Sequence, residues 1–247
     1  KLTWDDESLG NIGATDEPSA NFTWTVAIIL DQEGNLYISD EGTHRITVIS
    51  KDGEFLGKWG ESGKGHGQLN RPSGIAFDPE GNIYVSDTLN HRIQKFTKDG
   101  KFLSTWGRLG HGEGEFNMPW GIDVDEMGSV YVVDWRNDRV QKLDPEGRFI
   151  FEFGRSGSDN AEFDRPAGIT VDNDGDIYVA DLGNNRIQMF NSEGIYVQSF
   201  VGDGTLSKSA IQYVMANAKA LRLRYMSNTE PEKLLQGPMA VTVDDNG

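Results

Sequence analysis

The sequence predicts an all-β fold made of repeated four-stranded units, and three observations support this prediction. First, similar segments recur with a constant spacing of 47 residues. Second, the apolar runs within each copy are short and are separated by Gly-Asn or Asp-Gly turns, a pattern typical of strands. Third, an aromatic residue recurs at one position of every copy. The repeated segments end at Asp40, Asp87, Asp134 and Asp181, and the recurring aromatic residues are Trp59, Trp106, Phe153 and Phe200.

The copy that begins at Pro72 shows the order of the strands. We predict an inner strand at 73–78, a second at 82–87, a third at 91–97 and an outer strand at 101–106. The turn sequences DPEGN and TKDGK place glycine where a tight hairpin needs a positive φ angle. Four-stranded units that recur at about 40 to 50 residues are typical of the blades of a β-propeller, which pack around a central channel.

The repeats resemble those of the NHL family. The segments that carry the resemblance are GNIYVSDTLNHRIQKF, GSVYVVDWRNDRVQKL and GDIYVADLGNNRIQMF, each preceded by a Pro-x-Gly-Ile element. The resemblance implies a propeller that is typically six-bladed. It leaves the function open, because members of the family range from protein-binding and RNA-binding modules to an amidating lyase.

The spacing describes one domain of consecutive blades. Full repeats are predicted at 25–71, 72–118, 119–165 and 166–237. Residues 1–24 are interpreted as the end of an earlier blade, and residues 238–247 as the start of a further one. Joining these two ends would leave a blade without its second strand and expose unpaired backbone inside a sheet. We therefore expect the sequence to be part of a longer, six-bladed chain.

The link between Phe200 and Pro238 is longer than the equivalent links in the other copies. Within it, residues 206–232 carry apolar side chains at helical spacing, which predicts an inserted amphipathic helix. One interpretation is that this helix packs its apolar face on the propeller. The alternative is a lid over the channel or a docking helix for an acidic partner, since basic residues are concentrated in this segment.

The composition restricts the classes of partner. The net charge of -16 repels phosphate backbones, so nucleic acid is not an expected partner. The sequence has no cysteine, which excludes disulfides and thiolate metal sites. It has no run of 18 apolar residues, so no membrane span is predicted.

Charged residues that recur in every copy are interpreted as structural. An aspartate at the end of each second strand is followed five residues later by an arginine, as in Asp87 and Arg92. We expect the aspartate to accept hydrogen bonds from its turn or from the guanidinium group, because a catalytic site rarely needs four equal copies. The histidines lie in turns or glycine-rich loops, so neither a metal site nor a cofactor is predicted. They are His44, His66, His91 and His111.

The candidate binding site consists of aromatic and basic residues that depart from the repeat. Trp120 stands where the second and fourth copies have serine and alanine, and Trp135 stands where other copies have threonine, leucine or glutamate. Both positions belong to the rim that carries the links between blades, so we expect the two rings to lie close together. The alternative interpretation is that the rings fill space between blades. Further candidates on this rim are Arg136, Arg71, Trp24 and Arg165.

Asp123 is a weak candidate for catalysis. Its counterparts in the other copies are uncharged, so we expect this carboxylate to lie between blades near the channel. A buried carboxylate either finds a hydrogen-bond donor or acquires a raised pKa. The sequence favours a non-enzymatic propeller that binds a protein, peptide or carbohydrate ligand through its loop-rich face. The alternative is a lyase or hydrolase that acts at the channel mouth with Asp123 as an acid or base.

Overall fold

A computed structural model of the protein describes residues 21–201 and 235–243. The strands among these residues form four antiparallel sheets, and neighbours along the chain are neighbours in each sheet. The first sheet contains β1 (Thr25–Leu30), β2 (Leu36–Asp40), β3 (Arg45–Ile49) and β4 (Phe55–Trp59). The second contains β5 (Pro72–Phe77), β6 (Ile83–Asp87), β7 (Arg92–Phe96) and β8 (Phe102–Trp106). The third contains β9 (Pro119–Val124), β10 (Val130–Asp134), β11 (Arg139–Leu143) and β12 (Phe149–Phe153). The fourth contains β13 (Pro166–Val171), β14 (Ile177–Asp181), β15 (Arg186–Phe190) and β16 (Tyr196–Phe200).

The prediction of four-stranded antiparallel blades is confirmed. In the copy that begins at Pro72, the strands start and end within one residue of the predicted bounds. The helix predicted at 206–232 falls in the interval 202–234, which lies outside the described residues. The described residues contain no α-helix, and their helical structure is limited to a 3₁₀ turn at Thr88–Asn90.

The predicted terminal blades also fall largely outside the described part of the chain, because residues 1–20 and 244–247 are not included in it. The described part contains four blades, so the six-bladed ring implied by the resemblance stays a prediction. None of its helical segments has the length and apolar character needed to cross a membrane.

The core of the protein lies between neighbouring sheets. Because side chains alternate along a strand, each second strand directs residues to both adjacent blades and is buried along almost its whole length. Three apolar clusters result, one at each junction between consecutive blades. The cluster between the second and third blades contains Ala76, Tyr84, Ile93, Phe116, Ile122, Val130, Val132 and Leu143. This face-to-face packing, with the first strands together at the centre, is the arrangement of a β-propeller.

Glycines on the inner strands allow the blades to approach each other at the centre. A Cβ atom on Gly121 of β9 would lie 2.3 Å from the carbonyl oxygen of Ala167 on β13. A Cβ atom on Gly74 of β5 would lie 2.4 Å from the carbonyl oxygen of Trp120. These distances leave no room for a side chain, which explains the glycine of the Pro-x-Gly-Ile element. They also fix the start of β9 against β5.

A buried network in the third blade attaches the preceding loop to the sheet. The Asp134 carboxylate accepts hydrogen bonds from Asn137 Nδ2 at 2.7 Å and from Arg139 Nε at 2.9 Å. Arg139 also donates to three carbonyl oxygens of the loop, those of His111, Gly112 and Glu115. The same ion pair recurs in the second and fourth blades, as Asp87 with Arg92 and Asp181 with Arg186. The structural role expected for these pairs is confirmed in three blades.

The first blade lacks the ion pair of this network. Asp40 keeps the expected structural role, because it accepts hydrogen bonds from the amides of Gly42 and Thr43 in its turn. Arg45 does not pair with Asp40, and its Nη2 atom donates to the carbonyl oxygen of Asn21 at 2.8 Å. Its Nε atom is buried and has no partner among the described residues. Thr43 and Thr47 stand where the other blades have asparagine and glutamine, and these shorter side chains do not extend the network.

A side chain of the preceding blade holds each link between blades. His44 Nδ1 accepts a hydrogen bond from the backbone amide of Arg71 at 3.0 Å, and His91 Nδ1 accepts one from Met118 at 3.1 Å. In the later blades, Asp138 and Asn185 accept hydrogen bonds from the backbone amides of Arg165 and Gly237. The turn position predicted for the two histidines is confirmed. We call the rim that carries these links and the turns between second and third strands the loop rim.

Candidate functional site

Trp120 and Trp135 meet on the loop rim. Trp120 is the second residue of β9, and Trp135 directly follows the last residue of β10. Their ring centroids are 5.6 Å apart with an interplanar angle of 45°, and both residues are half-buried. The Cζ atom of Arg136 lies 4.6 Å from the centroid of the Trp135 ring, within the range of a cation–π interaction. The expected proximity of the two rings is confirmed.

The second blade shows what the repeat places at these positions when tryptophan is absent. Ser73 and Thr88 occupy them, and both are buried. Thr88 Oγ1 donates a hydrogen bond to the carbonyl oxygen of Pro119 at 2.8 Å, and Ser73 Oγ donates to that of Trp120 at 3.0 Å. Small residues with a hydroxyl group are therefore sufficient for the packing and hydrogen bonding of a blade at these positions. The tryptophans of the third blade add partly exposed aromatic surface that the fold does not require.

A second tryptophan–arginine pair lies on the loop rim at the junction of the first two blades. The Cζ atom of Arg71 lies 5.9 Å from the ring centroid of Trp24, which is 61% exposed. Arg71 immediately precedes β5, and β5 packs against β9, the strand that carries Trp120. The two pairs therefore lie on the same rim around consecutive inner strands.

The arginines of this rim differ in their charge environment. Within the described part of the chain, neither Arg71 nor Arg136 forms an ion pair shorter than 4.0 Å. Arg165, by contrast, pairs with Asp164 at 2.9 Å. Among the described residues it makes no cation–π contact with Trp24, Trp120 or Trp135. Arg71 and Arg136 are therefore the two predicted arginines whose charge is available to an anionic or hydrogen-bond-accepting group.

Glu41 is a candidate that the sequence reasoning did not select. It occupies the position of Trp135 in the first blade and is only 4% exposed. Burial raises the pKa of Glu41, and the charge of Arg71 lowers it. The signal in the sequence was a glutamate at a position held elsewhere by threonine, tryptophan and leucine. The repeat gave no indication that this carboxylate would be buried near Arg71.

The inner strands line a central cavity of about 630 Å³. It is bordered by parts of β1, β5, β9 and β13 and by residues 239–242. Its volume falls within the range of about 300 to 1,000 Å³ that is typical of small-molecule sites. Trp120 and Asp123 both line it. Trp120 lies at the loop-rim end of β9 and so at the mouth of the cavity, and Trp135 packs against it from outside the lining.

Asp123 connects two inner strands. Its Oδ1 atom accepts a hydrogen bond from the amide of Val124 at 2.9 Å, and its Oδ2 atom accepts one from the amide of Val171 on β13 at 2.8 Å. Burial raises the pKa of Asp123, and hydrogen bonds from Val171, Val124 and Thr170 lower it. Both oxygens are therefore engaged by the backbone, which is the geometry of a structural carboxylate.

Asp123→Thr, which introduces the residue found at the equivalent position of the fourth blade, is expected to change the pH dependence of stability. Because the folded-state pKa of Asp123 is raised above 3.8, its contribution to stability is present below that value and is lost as the pH rises through the folded-state pKa. The variant should therefore gain stability relative to the original protein between about pH 4 and about pH 7. Urea unfolding at both pH values measures this, and a constant difference in unfolding free energy would contradict it.

Metal-binding side chains do not cluster in residues 21–201 and 235–243, where no group of three or more such residues is placed to hold an ion. His44 and His91 are engaged by the links between blades. His66 stacks on Phe102, with ring centroids 4.5 Å apart.

The repeat unit matches a known family model. Residues 69–96, 116–143 and 163–190 each match the NHL repeat. The chain contains NHL repeats. Each match runs from a buried residue of the preceding loop to the end of the third strand, as from Leu69 to Phe96, and so includes the aspartate and arginine of the ion pair. No curated protein sequence matches the chain.

Solved structures share the fold of these NHL blades. A streptogramin B lyase is similar with a TM-score of 0.55 and 21% identity over 71% of this chain and 54% of that chain. A virginiamycin B lyase from Staphylococcus aureus gives a TM-score of 0.53 and 20% identity over 71% of this chain and 55% of that chain. A chain of a nidogen/laminin complex gives a TM-score of 0.54 and 21% identity over 69% of this chain and 61% of that chain. At these identities the likeness shows the fold alone, and the chain spans just over half the length of the two lyases.

Proposed function

We propose that this NHL propeller is a non-enzymatic binding protein that recognises a protein, peptide or carbohydrate ligand through its loop rim. The proposal rests on the cluster of Trp120, Trp135 and Arg136. This cluster combines two half-buried indole rings with a stacked guanidinium group at the mouth of the central cavity. Tryptophan and arginine are among the residues most enriched at the energetic centres of binding interfaces.

The chemistry of the cluster suits a ligand with both a flat apolar face and hydrogen-bond acceptors. An indole face stacks on an aromatic side chain or covers apolar surface, and a guanidinium group binds a carboxylate through two parallel hydrogen bonds. The Trp24–Arg71 pair extends the same chemistry along the rim. The net charge of -16 disfavours nucleic acid as the ligand.

Replacing both tryptophans with the residues of the second blade, as Trp120→Ser and Trp135→Thr, is expected to abolish ligand capture while the fold is retained. Ligands are first selected with the original protein from a random peptide library and from a glycan array. Loss of a central aromatic residue costs at least about 2 kcal/mol, which corresponds to roughly thirtyfold in affinity. Titration calorimetry of each selected ligand with both proteins measures the difference.

Met127→Ala is the control for this experiment. Met127 is 84% exposed and lies in the turn between β9 and β10, on the rim opposite to the loop rim. This variant should bind the selected ligands with unchanged affinity. Retained binding by the double tryptophan variant, together with loss of binding by Met127→Ala, would place the site on the wrong rim and refute the proposal.

A lyase or hydrolase that acts in the central cavity is the second candidate. One observation favours it, namely that Asp123, a carboxylate with a raised pKa, lines this cavity. Two solved structures of the same fold are those of lyases. To act as an acid or base, Asp123 would have to release one of its backbone hydrogen bonds. An activity that is lost in Asp123→Asn without a change in melting temperature would favour this candidate over binding alone.

A further inference from the structure

A second cavity opens between the first and second blades, on the side of the rim opposite to the loop rim. We call it the outer cleft, and its volume is about 490 Å³. Aromatic and aliphatic residues of the first blade line it, together with a glycine of the outer strand β4 and two charged residues of the turn between β7 and β8. Among these residues are Tyr37, Val48, Trp59, Gly57, Lys98 and Asp99.

Two departures from the repeat coincide at the outer cleft. Gly57 stands where the other blades have Ser104, Phe151 and Gln198. Val48 stands where they have Lys95, Lys142 and Met189. Val48 is shorter than its counterparts, Gly57 has no side chain, and a Cβ atom on Gly57 would have nothing within 4 Å. The first blade is therefore the one in which neither position carries a long side chain.

The junction of the third and fourth blades shows what fills the equivalent space. There Phe151 packs beside Phe153, with ring centroids 6.3 Å apart. A Cβ atom on Gly194, in the outer turn of the next blade, would lie 2.9 Å from the Phe151 ring. The counterparts of Phe153 and Gly194 in the outer cleft are Trp59 and Gly100, which also lie against each other. The surroundings of the Phe151 ring are thus reproduced at the outer cleft without the ring.

One buried donor beside the outer cleft has no hydrogen-bond partner among the described residues. This donor is the Nε1 atom of Trp59. A buried donor without a partner costs free energy, so it would be stabilised by an acceptor brought by a ligand.

We propose that the outer cleft binds an aromatic side chain of a partner polypeptide, which inserts where the Phe151 ring lies in the third blade. A ring in this position would pack on Val48 and the two aromatic residues of the cleft, as Phe151 does on its neighbours. A hydroxyl or carbonyl oxygen of the partner would accept a hydrogen bond from Trp59. This surface is separate from the loop rim, so the proposal does not depend on the proposed function.

The position of β4 favours a polypeptide over a free aromatic compound. β4 is the outermost strand of its sheet, so one side of its backbone is not paired within the sheet. Leu56, which lies beside Gly57 on this strand, is 53% exposed. An extended peptide can pair with such an edge while it places one side chain in an adjacent pocket.

The test uses N-acetylphenylalaninamide as the probe, which carries the ring and two amide carbonyl groups of a peptide. The measured quantity is the chemical shift of the Trp59 indole N–H signal, assigned with Trp59→Phe. We expect this signal to move saturably with a dissociation constant on the order of 1 mM, since one ring buries little surface. N-acetylglycinamide should not move it. A Trp59 signal that does not respond to the aromatic probe would overturn the proposal.

Gly57→Phe supplies the missing ring from the protein itself and is expected to weaken probe binding at least tenfold. The matched control is Ser104→Phe, which adds the same ring at the same position of the second blade and should leave binding unchanged. Val48→Lys, which restores the residue of the second and third blades, is an independent second variant and should also weaken binding. If a folded Gly57→Phe or Val48→Lys protein binds the probe as the original protein does, the cleft is not the site.

Discussion

Arg139→Ala is expected to lower the free energy of unfolding by about 3 to 5 kcal/mol, the range found when one partner of a buried ion pair is removed. The Arg139 side chain is 8% exposed. Its removal leaves the fully buried Asp134 without its cation. It also removes the donors that bind the loop carbonyl oxygens of His111, Gly112 and Glu115. The loop before the third blade should therefore detach as well.

The loss should depend on pH. Burial already raises the pKa of Asp134 in the original protein, although hydrogen bonds from Asn117, Asn137 and Arg139 lower it. Without Arg139 the pKa rises further. A carboxyl group whose folded-state pKa is raised stabilises the folded protein at low pH. This contribution is lost as the pH rises through that pKa. The deficit of Arg139→Ala should consequently be larger at neutral pH than near 3.8, the ordinary value for aspartate.

Arg108→Ala is the control, because Arg108 also pairs with a residue of this loop. Its side chain is 81% exposed, and its Nη2 atom lies 2.7 Å from Glu115 Oε1. An exposed pair of this kind contributes at most about 1 kcal/mol. Urea unfolding of both variants at two pH values measures the comparison. Equal losses would show that the buried network does not hold the loop.

The repeat explains why so much of the fold could be predicted from sequence. Each blade has the same turns and the same alternation of apolar residues, so one copy defines the strands of the others. The close approach of Trp120 and Trp135 followed from the same logic, because their repeat positions are neighbours in every blade. The second blade confirms this, since Ser73 and Thr88 at these positions both attach to the start of β9.

Features that depend on departures from the repeat could not be predicted in this way. Arg45 shares its repeat position with Arg139 but lacks the ion pair, and threonines stand where the network of the other blades has asparagine and glutamine. The burial of Glu41 near Arg71 depends on how two consecutive blades meet. The outer cleft arises only where Gly57 and Val48 coincide in space. Each of these depends on contacts that the repeat pattern alone does not specify.

Gly121→Ala is expected to destabilise the protein by about 1 to 3 kcal/mol, the usual cost of an extra methyl group in a fully packed site. The new Cβ atom would lie 2.3 Å from the carbonyl oxygen of Ala167, so β9 and β13 must separate. Because Gly121 follows Trp120 directly, this movement should also displace the indole ring from Trp135. We therefore expect weaker binding of loop-rim ligands in addition to a lower melting temperature.

Gly57→Ala is the matched control, because Gly57 is also inside a strand and neither glycine has a positive φ angle. Its new Cβ atom would meet nothing within 4 Å, so no backbone has to move. Replacing a strand glycine by alanine without strain stabilises by about 0.5 to 1 kcal/mol, since the unfolded chain loses freedom. The two substitutions should therefore change the melting temperature in opposite directions, as measured by calorimetry. A shift of the same sign in both would mean that the distance between blades at the centre is not what requires glycine at position 121.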